Sequence, residues 1–156
     1  MIKSFVISGF LWSLVLFFPT LVNAETKSDV LGLQLGMNKE AAHKILQKIG
    51  KLEKTESKQQ EVWALNADRS FSYIIIAFDR EYTEVRFITA KAREKGKRVR
   101  YRDVLDLKKA RQAGTNNNNN YIQEMPGRAD KPGYKIIARG QDPIYLTYFS
   151  IERIYQ

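Results

Sequence analysis

Leu31, Leu33, Leu35 and Met37 alternate with Gly32, Gln34 and Gly36. That period of two predicts a short strand or an extended lead-in. The period then changes. Ala42, Ile45, Leu46 and Ile49 recur at helical spacing, while Lys39, Glu40, Lys44, Gln47 and Lys48 take the other side. Asn38 stands where a side-chain oxygen caps a first turn. Gly50 stands where a left-handed residue ends a helix. The pattern predicts a helix over Lys39–Ile49.

Lys51–Gln60 is polar and predicts a loop. Glu61–Ala67 alternates, with Trp63 and Leu65 on one face. Phe71–Phe78 is apolar on both faces, as a central strand is. Asp79-Arg80-Glu81 makes a turn, and Tyr82–Ala90 follows with Val85 and Phe87 inward. Three strands joined by short polar turns predict an antiparallel meander. Asp103 then reads as a second N-cap. Val104, Leu107 and Ala110 mark the buried side of a shorter helix that ends at Gly114. The asparagine-rich run Thr115–Asn120 has no core potential. Tyr121–Met125, Tyr134–Arg139 and Ile144–Ile151 read as three more strands. The expected fold class is α+β: two helices packed on one face of an antiparallel sheet, readable as a tandem helix-plus-three-strand unit.

The first 24 residues stand apart. Lys3 is their only charge, Phe5–Phe18 is apolar, Pro19 breaks the run, and Val22-Asn23-Ala24 provides a small-residue exit. This is the pattern of a secretory signal peptide. The apolar run is shorter than the roughly 20 residues that span a bilayer, so a retained anchor is the lesser reading. Residues 25–156 then make a single domain, long enough to bury a core without staples.

Composition narrows the chemistry. The chain has 156 residues and no cysteine, which excludes disulfides, thiolate nucleophiles, Cys-based zinc sites and lipobox acylation. An exported chain without disulfides fits a bacterial periplasm or the medium. The net charge of +9 points to anionic partners: phospholipid head groups, lipopolysaccharide, cell-wall polymers, nucleic acid or acidic proteins.

Leu35-Gly36-Met37-Asn38-Lys39-Glu40, followed by Ala42, Ile45 and Leu46, resembles the helix start of exported bacterial domains of the SmpA/OmlA type. Those domains are the small accessory component of the outer-membrane β-barrel assembly machinery. The same start recurs in the β-lactamase-inhibitor-protein-like fold. In both, a glycine turn feeds a helix that packs on an antiparallel sheet. SmpA/OmlA proteins are lipoproteins, whereas this chain has no cysteine to acylate. Of the two, the resemblance therefore implies a tandem, inhibitor-like architecture. It assigns no functional residue.

Candidate catalytic groups are sparse. His43 is the only histidine, at the border of the helix's apolar stripe. One histidine without cysteine does not make a zinc site, and no metal or cofactor is expected. His43 reads as a boundary residue. No phosphate-binding loop or nucleophile elbow occurs. Asp79, Glu81 and Glu84 beside Arg80 and Arg86 read as solvated ion pairs, and no catalytic residue is assigned. The enzyme alternative is a small basic secreted hydrolase or nuclease, with Glu84, Arg86 and His43 converging on one sheet face. Tyr134, Tyr145, Tyr148, Phe149 and Tyr155 read as sheet core and edge.

Lys91–Arg102 is the least ordinary stretch. Lys91, Arg93, Lys95, Lys97, Arg98, Arg100 and Arg102 stand against one acid, Glu94. They read either as a solvated connection or as an anion-binding strip. The expected function is a non-catalytic bacterial envelope binding or accessory protein, periplasmic or secreted. Its expected partner is an anionic envelope component or an acidic protein, with nucleic acid kept as a candidate and no membrane anchor after signal cleavage. Sequencing the N-terminus of the exported form tests this reading. It should begin at Glu25, whereas a Met1 retained in the membrane fraction would make the segment an anchor.

Overall fold

The computed structural model describes residues 27–57, 59–114, 118–129 and 132–154. The expected signal peptide, its cleavage site and Tyr155 lie outside them. The elements are α1 (Lys39–Ile49), β1 (Gly50–Ser57), β2 (Gln60–Leu65), β3 (Phe71–Phe78), β4 (Val85–Ala92), β5 (Arg111–Gln112), β6 (Asn119–Met125), β7 (Tyr134–Gly140) and β8 (Tyr148–Arg153). No helix among the described residues is long and apolar enough to cross a membrane.

α1 forms over the expected residues. The Asn38 side chain accepts the Ala41 N–H at 2.8 Å, and Ala42 and Leu46 turn into the core. Its two ends differ from expectation. Residues 31–37 are not a strand but a pair of tight turns, with left-handed φ at Leu31, Gly32 and Gly36. Val30 and Leu33 exchange backbone bonds of 3.0 Å across the first turn and are buried. Gly50 is not a left-handed stop either. Its φ of −164° is extended, and the chain passes straight from α1 into β1. Glycine is needed there for closeness: a Cβ would sit 2.2 Å from the Ala64 carbonyl oxygen.

One eight-stranded antiparallel sheet follows, in the order β1-β2-β3-β4-β8-β7-β6-β5. It is two four-stranded meanders, β1–β4 and β5–β8, joined through their last strands. Side chains directly opposite on neighbouring strands share a face, so the register defines rows. Ile76, Ile88, Ile151 and Ile136 form one row, with Glu61 at one end and Gln123 at the other. The next row runs Trp63, Ile74, Ala90, Phe149, Ala138 and Tyr121. These rows are the core face. A bulge between Ala77 and Phe78 resets the alternation, so Val85 is buried on that face while Phe87 points away.

Two further expectations are overturned. Lys51–Gln60 is not a loop, since β1 occupies most of it. β1 is a bulged edge strand, exposed along nearly its whole length, and backbone pairing with β2 holds it. A strand wet on both faces carries no apolar period to read. The second helix does not form, so the described residues make one α-helix on an antiparallel sheet rather than two helices on one face or a tandem helix-plus-three-strand unit. In its place stands a single 3-10 turn at Tyr101–Asp103, followed by turns. The Asp103 carboxylate bonds back to the Arg100 N–H at 3.0 Å rather than forward into a helix. Val104 and Leu105 are both buried, whereas Leu107, which a helical stripe would bury, is 44% exposed. The segment instead plugs the core face of the second meander with Tyr101, Val104 and Leu105.

Because Leu46 is fully buried between helix and sheet, Leu46→Ala should cost about 2–5 kcal/mol. Gln47→Ala, on the wet side of the same helix, should change stability by less than about 0.5 kcal/mol. Urea unfolding of the two variants measures the contrast.

Candidate functional site

Two side-chain groupings have the chemistry of a site. The first is a corner where α1, β2 and the β3–β4 turn meet. Glu61 lies on the core face in register with Ile76 and is only 2% exposed. Its carboxylate meets three donors: His43 Nε2 at 2.9 Å, Trp63 Nε1 at 2.9 Å, and the Tyr82 hydroxyl. Burial works against the charged carboxylate. The hydrogen bonds from Tyr82 and Trp63, and His43 beside it, outweigh burial and hold its pKa below the ordinary glutamate value. An ionised carboxylate can only accept, so Nε2 of His43 carries the hydrogen.

The rest of the corner is packing. The His43 ring lies 5.6 Å from that of Trp63 and 5.9 Å from that of Phe78. The Tyr82 ring meets Phe78 edge-on at 5.0 Å, and Lys39 Nζ sits 3.6 Å from the centre of the Tyr82 ring. Tyr82 holds φ +61°, a left-handed conformation that a bulky residue adopts only when its surroundings demand it. Burial, then Glu61, pushes its phenol up to about 12. His43 is half-buried at the border of the helix's apolar stripe, with a buried acceptor beneath it. Sequence reasoning missed Glu61, although the signal was present. Glu61 has the same parity as Trp63 and Leu65, so their alternation places a carboxylate on the core face.

The acids Asp79 and Glu84 do other work. Asp79 accepts from Thr83 N at 2.7 Å and from Thr83 Oγ1 at 2.8 Å, which closes the β3–β4 turn. Glu84 faces Arg153 at 3.6 Å. Among the described residues, no hydrogen bond or ion pair joins Glu84 or Arg86 to His43. No group of three or more His, Asp or Glu able to hold a metal occurs there either.

The second grouping is the basic segment, which the structure divides. Lys91 lies in β4 between Tyr73 and Tyr148 of the neighbouring strands, on the face opposite the core. Arg93 is a clamp, with Nε donating to the Asp68 carbonyl at 2.8 Å and Nη2 to the Leu65 carbonyl. Lys95 and Lys97 are exposed on the loop that follows. Arg98 bonds Asp142 at 2.6 Å and stacks 3.7 Å from the Tyr145 ring. Arg100 pairs with Asp103 at 3.1 Å, and Arg102 is exposed beside it. Arg100 and Arg102 line a groove of about 400 Å³ together with Tyr145, Ile144 and Leu107. Across residues 93–111 there are nine Lys and Arg against three Asp and Glu. Lys95, Lys97, Arg102, Lys108 and Arg111 have no ion pair among the described residues.

The Glu61 corner generates a pH prediction. A carboxylate with a lowered folded-state pKa stabilises the fold above the unfolded-state glutamate pKa, and this contribution fades as pH falls through the folded value. Glu61→Gln should therefore unfold about 1–3 kcal/mol more easily at pH 7, and should show less loss between pH 5 and pH 3 than the unaltered protein. Urea unfolding across pH checks both limbs. These assignments rest on the chain's own geometry, because no family model, curated protein or solved structure matches it.

Proposed function

We propose that this chain is an exported bacterial envelope protein that binds an anionic partner and catalyses nothing. The observation that carries this reading is the excess of cations over 93–111, with several left without an ion pair among the described residues. Like charges crowded together repel, so the segment is most stable when an anion covers it. Its internal bonds leave that surface in place. Arg98 and Arg100 spend their charge on Asp142 and Asp103, which fixes the backbone, while Lys95, Lys97 and Arg102 project outward. The hydrolase or nuclease alternative has no comparable support, since His43, Glu84 and Arg86 are not brought together.

The test is binding of the exported form to inorganic polyphosphate and to anionic vesicles across a salt series. Affinity should fall steeply with salt. Each cation near an anionic surface contributes about 1 kcal/mol, so reversing Lys95, Lys97 and Arg102 to Glu should weaken binding by at least about a hundredfold and flatten the salt dependence. A folded triple variant that binds as well as the unaltered protein sinks the reading.

A further inference from the structure

Leu107 and Ile144 are 44% and 56% exposed, and both line the groove that holds Arg100 and Arg102. Both stand on tightly bonded tips rather than slack loops. Asp142 accepts the N–H groups of Ile144 and Tyr145 at 2.8 and 2.9 Å, and Arg98 locks Asp142 from the other side. The Ile144 carbonyl accepts the Tyr101 N–H at 3.2 Å, which ties this tip to the 3-10 turn. On the other tip, Asp106 closes its turn by accepting the Lys108 N–H at 3.0 Å, and its own N–H donates to Gln123 at 2.8 Å. The fold therefore holds two large apolar side chains out in water, set among cations.

We propose that this surface is a membrane-docking face: Leu107 and Ile144 enter the interfacial layer of an anionic phospholipid bilayer while the surrounding cations contact its head groups. This rests on the anion-binding reading and names its partner. Charge complementarity alone would fit any polyanion. The apolar pair separates them, because a phosphate chain in water offers nothing to a leucine or an isoleucine. A bilayer presents anionic head groups directly above an apolar phase, the arrangement that amphipathic surfaces with basic rims use. Tyr145, beside the groove with Arg98 stacked on it, has the apolar body and polar tip favoured at that depth.

The experiment compares the exported form with a Leu107→Ser/Ile144→Ser variant on three probes: phosphatidylglycerol-containing vesicles, pure phosphatidylcholine vesicles, and inorganic polyphosphate in solution. The unaltered protein should bind the anionic vesicles and polyphosphate but not the zwitterionic vesicles. The double variant should lose at least tenfold on anionic vesicles while its polyphosphate binding stays within twofold. An Ile144→Trp variant should shift its fluorescence to the blue on anionic vesicles and not on polyphosphate. If the double variant binds both anionic probes as before, or loses equally on both, insertion is overturned and the anion-binding reading stands. Insertion is likewise overturned if the protein binds polyphosphate but no vesicle. If it binds neither anionic probe, the functional reading itself fails.

Discussion

The fold depends on one ladder, the antiparallel pairing of β4 with β8. Each meander alone would present half a core face and a bare inner edge. Pairing Ile88 with Ile151 and Ala90 with Phe149 turns two half-faces into one continuous apolar surface. On the opposite face, a 2.7 Å hydrogen bond between the Thr89 and Ser150 hydroxyls ties the same junction. One helix cannot cover eight strands. The first meander is capped by α1, and the second by the irregular segment carrying Tyr101, Val104 and Leu105. The basic residues are consequently placed by a packing need. The chain must cross the core face of the second meander between β4 and β5, and its inward side chains are apolar while its outward ones, Leu107 apart, are charged.

What was legible in the sequence is what one face of an element imposes on spacing. α1 shows its buried stripe at Ala42 and Leu46, and β3 shows its interior place between β2 and β4 in a mostly apolar run, although Ser72, Tyr73 and Ile75 are only half-buried. What was not legible came from interactions without a period. β1 is held chiefly by backbone bonds, so Lys51, Glu53 and Lys54 look like loop. The segment after Asp103 satisfies a helical pattern locally, yet Asp103 and Asp106 bond the backbone into turns and burial takes adjacent residues. The need for glycine at position 50 follows from the approach of Ala64, which is distant in sequence until the hairpin closes.

The candidate surface was half legible. Composition marks the 91–102 cations as unusual, but it cannot say which are committed. Arg93, Arg98 and Arg100 are each bound to a carbonyl or carboxylate contributed by another part of the fold or a neighbouring turn. Only tertiary contact sorts these from Lys95, Lys97 and Arg102. The same holds for Leu107. Its apolar character reads as core until the turn around Asp106 directs it outward. The Glu61 corner is the converse case, a polar residue whose parity places it inside. It then needs donors from three separate elements, which ties the start of α1 to the sheet.

The position of β8 has a consequence for biosynthesis. It is the last strand among the described residues and yet lies in the middle of the sheet, flanked by β4 and β7. The seam cannot close until these residues are made, because Phe149 and Ile151 complete both core rows. Until then β4 and β7 present unpaired inner edges with isoleucines beside them, the kind of edge that recruits other chains. Contacts between β4 and β8 also span a long stretch of sequence, which slows their formation relative to the hairpins. A chain arrested or clipped just before Tyr148 would therefore be an aggregation-prone species rather than a smaller folded domain. During that interval, a chaperone holding the β4 edge would act on the most vulnerable intermediate.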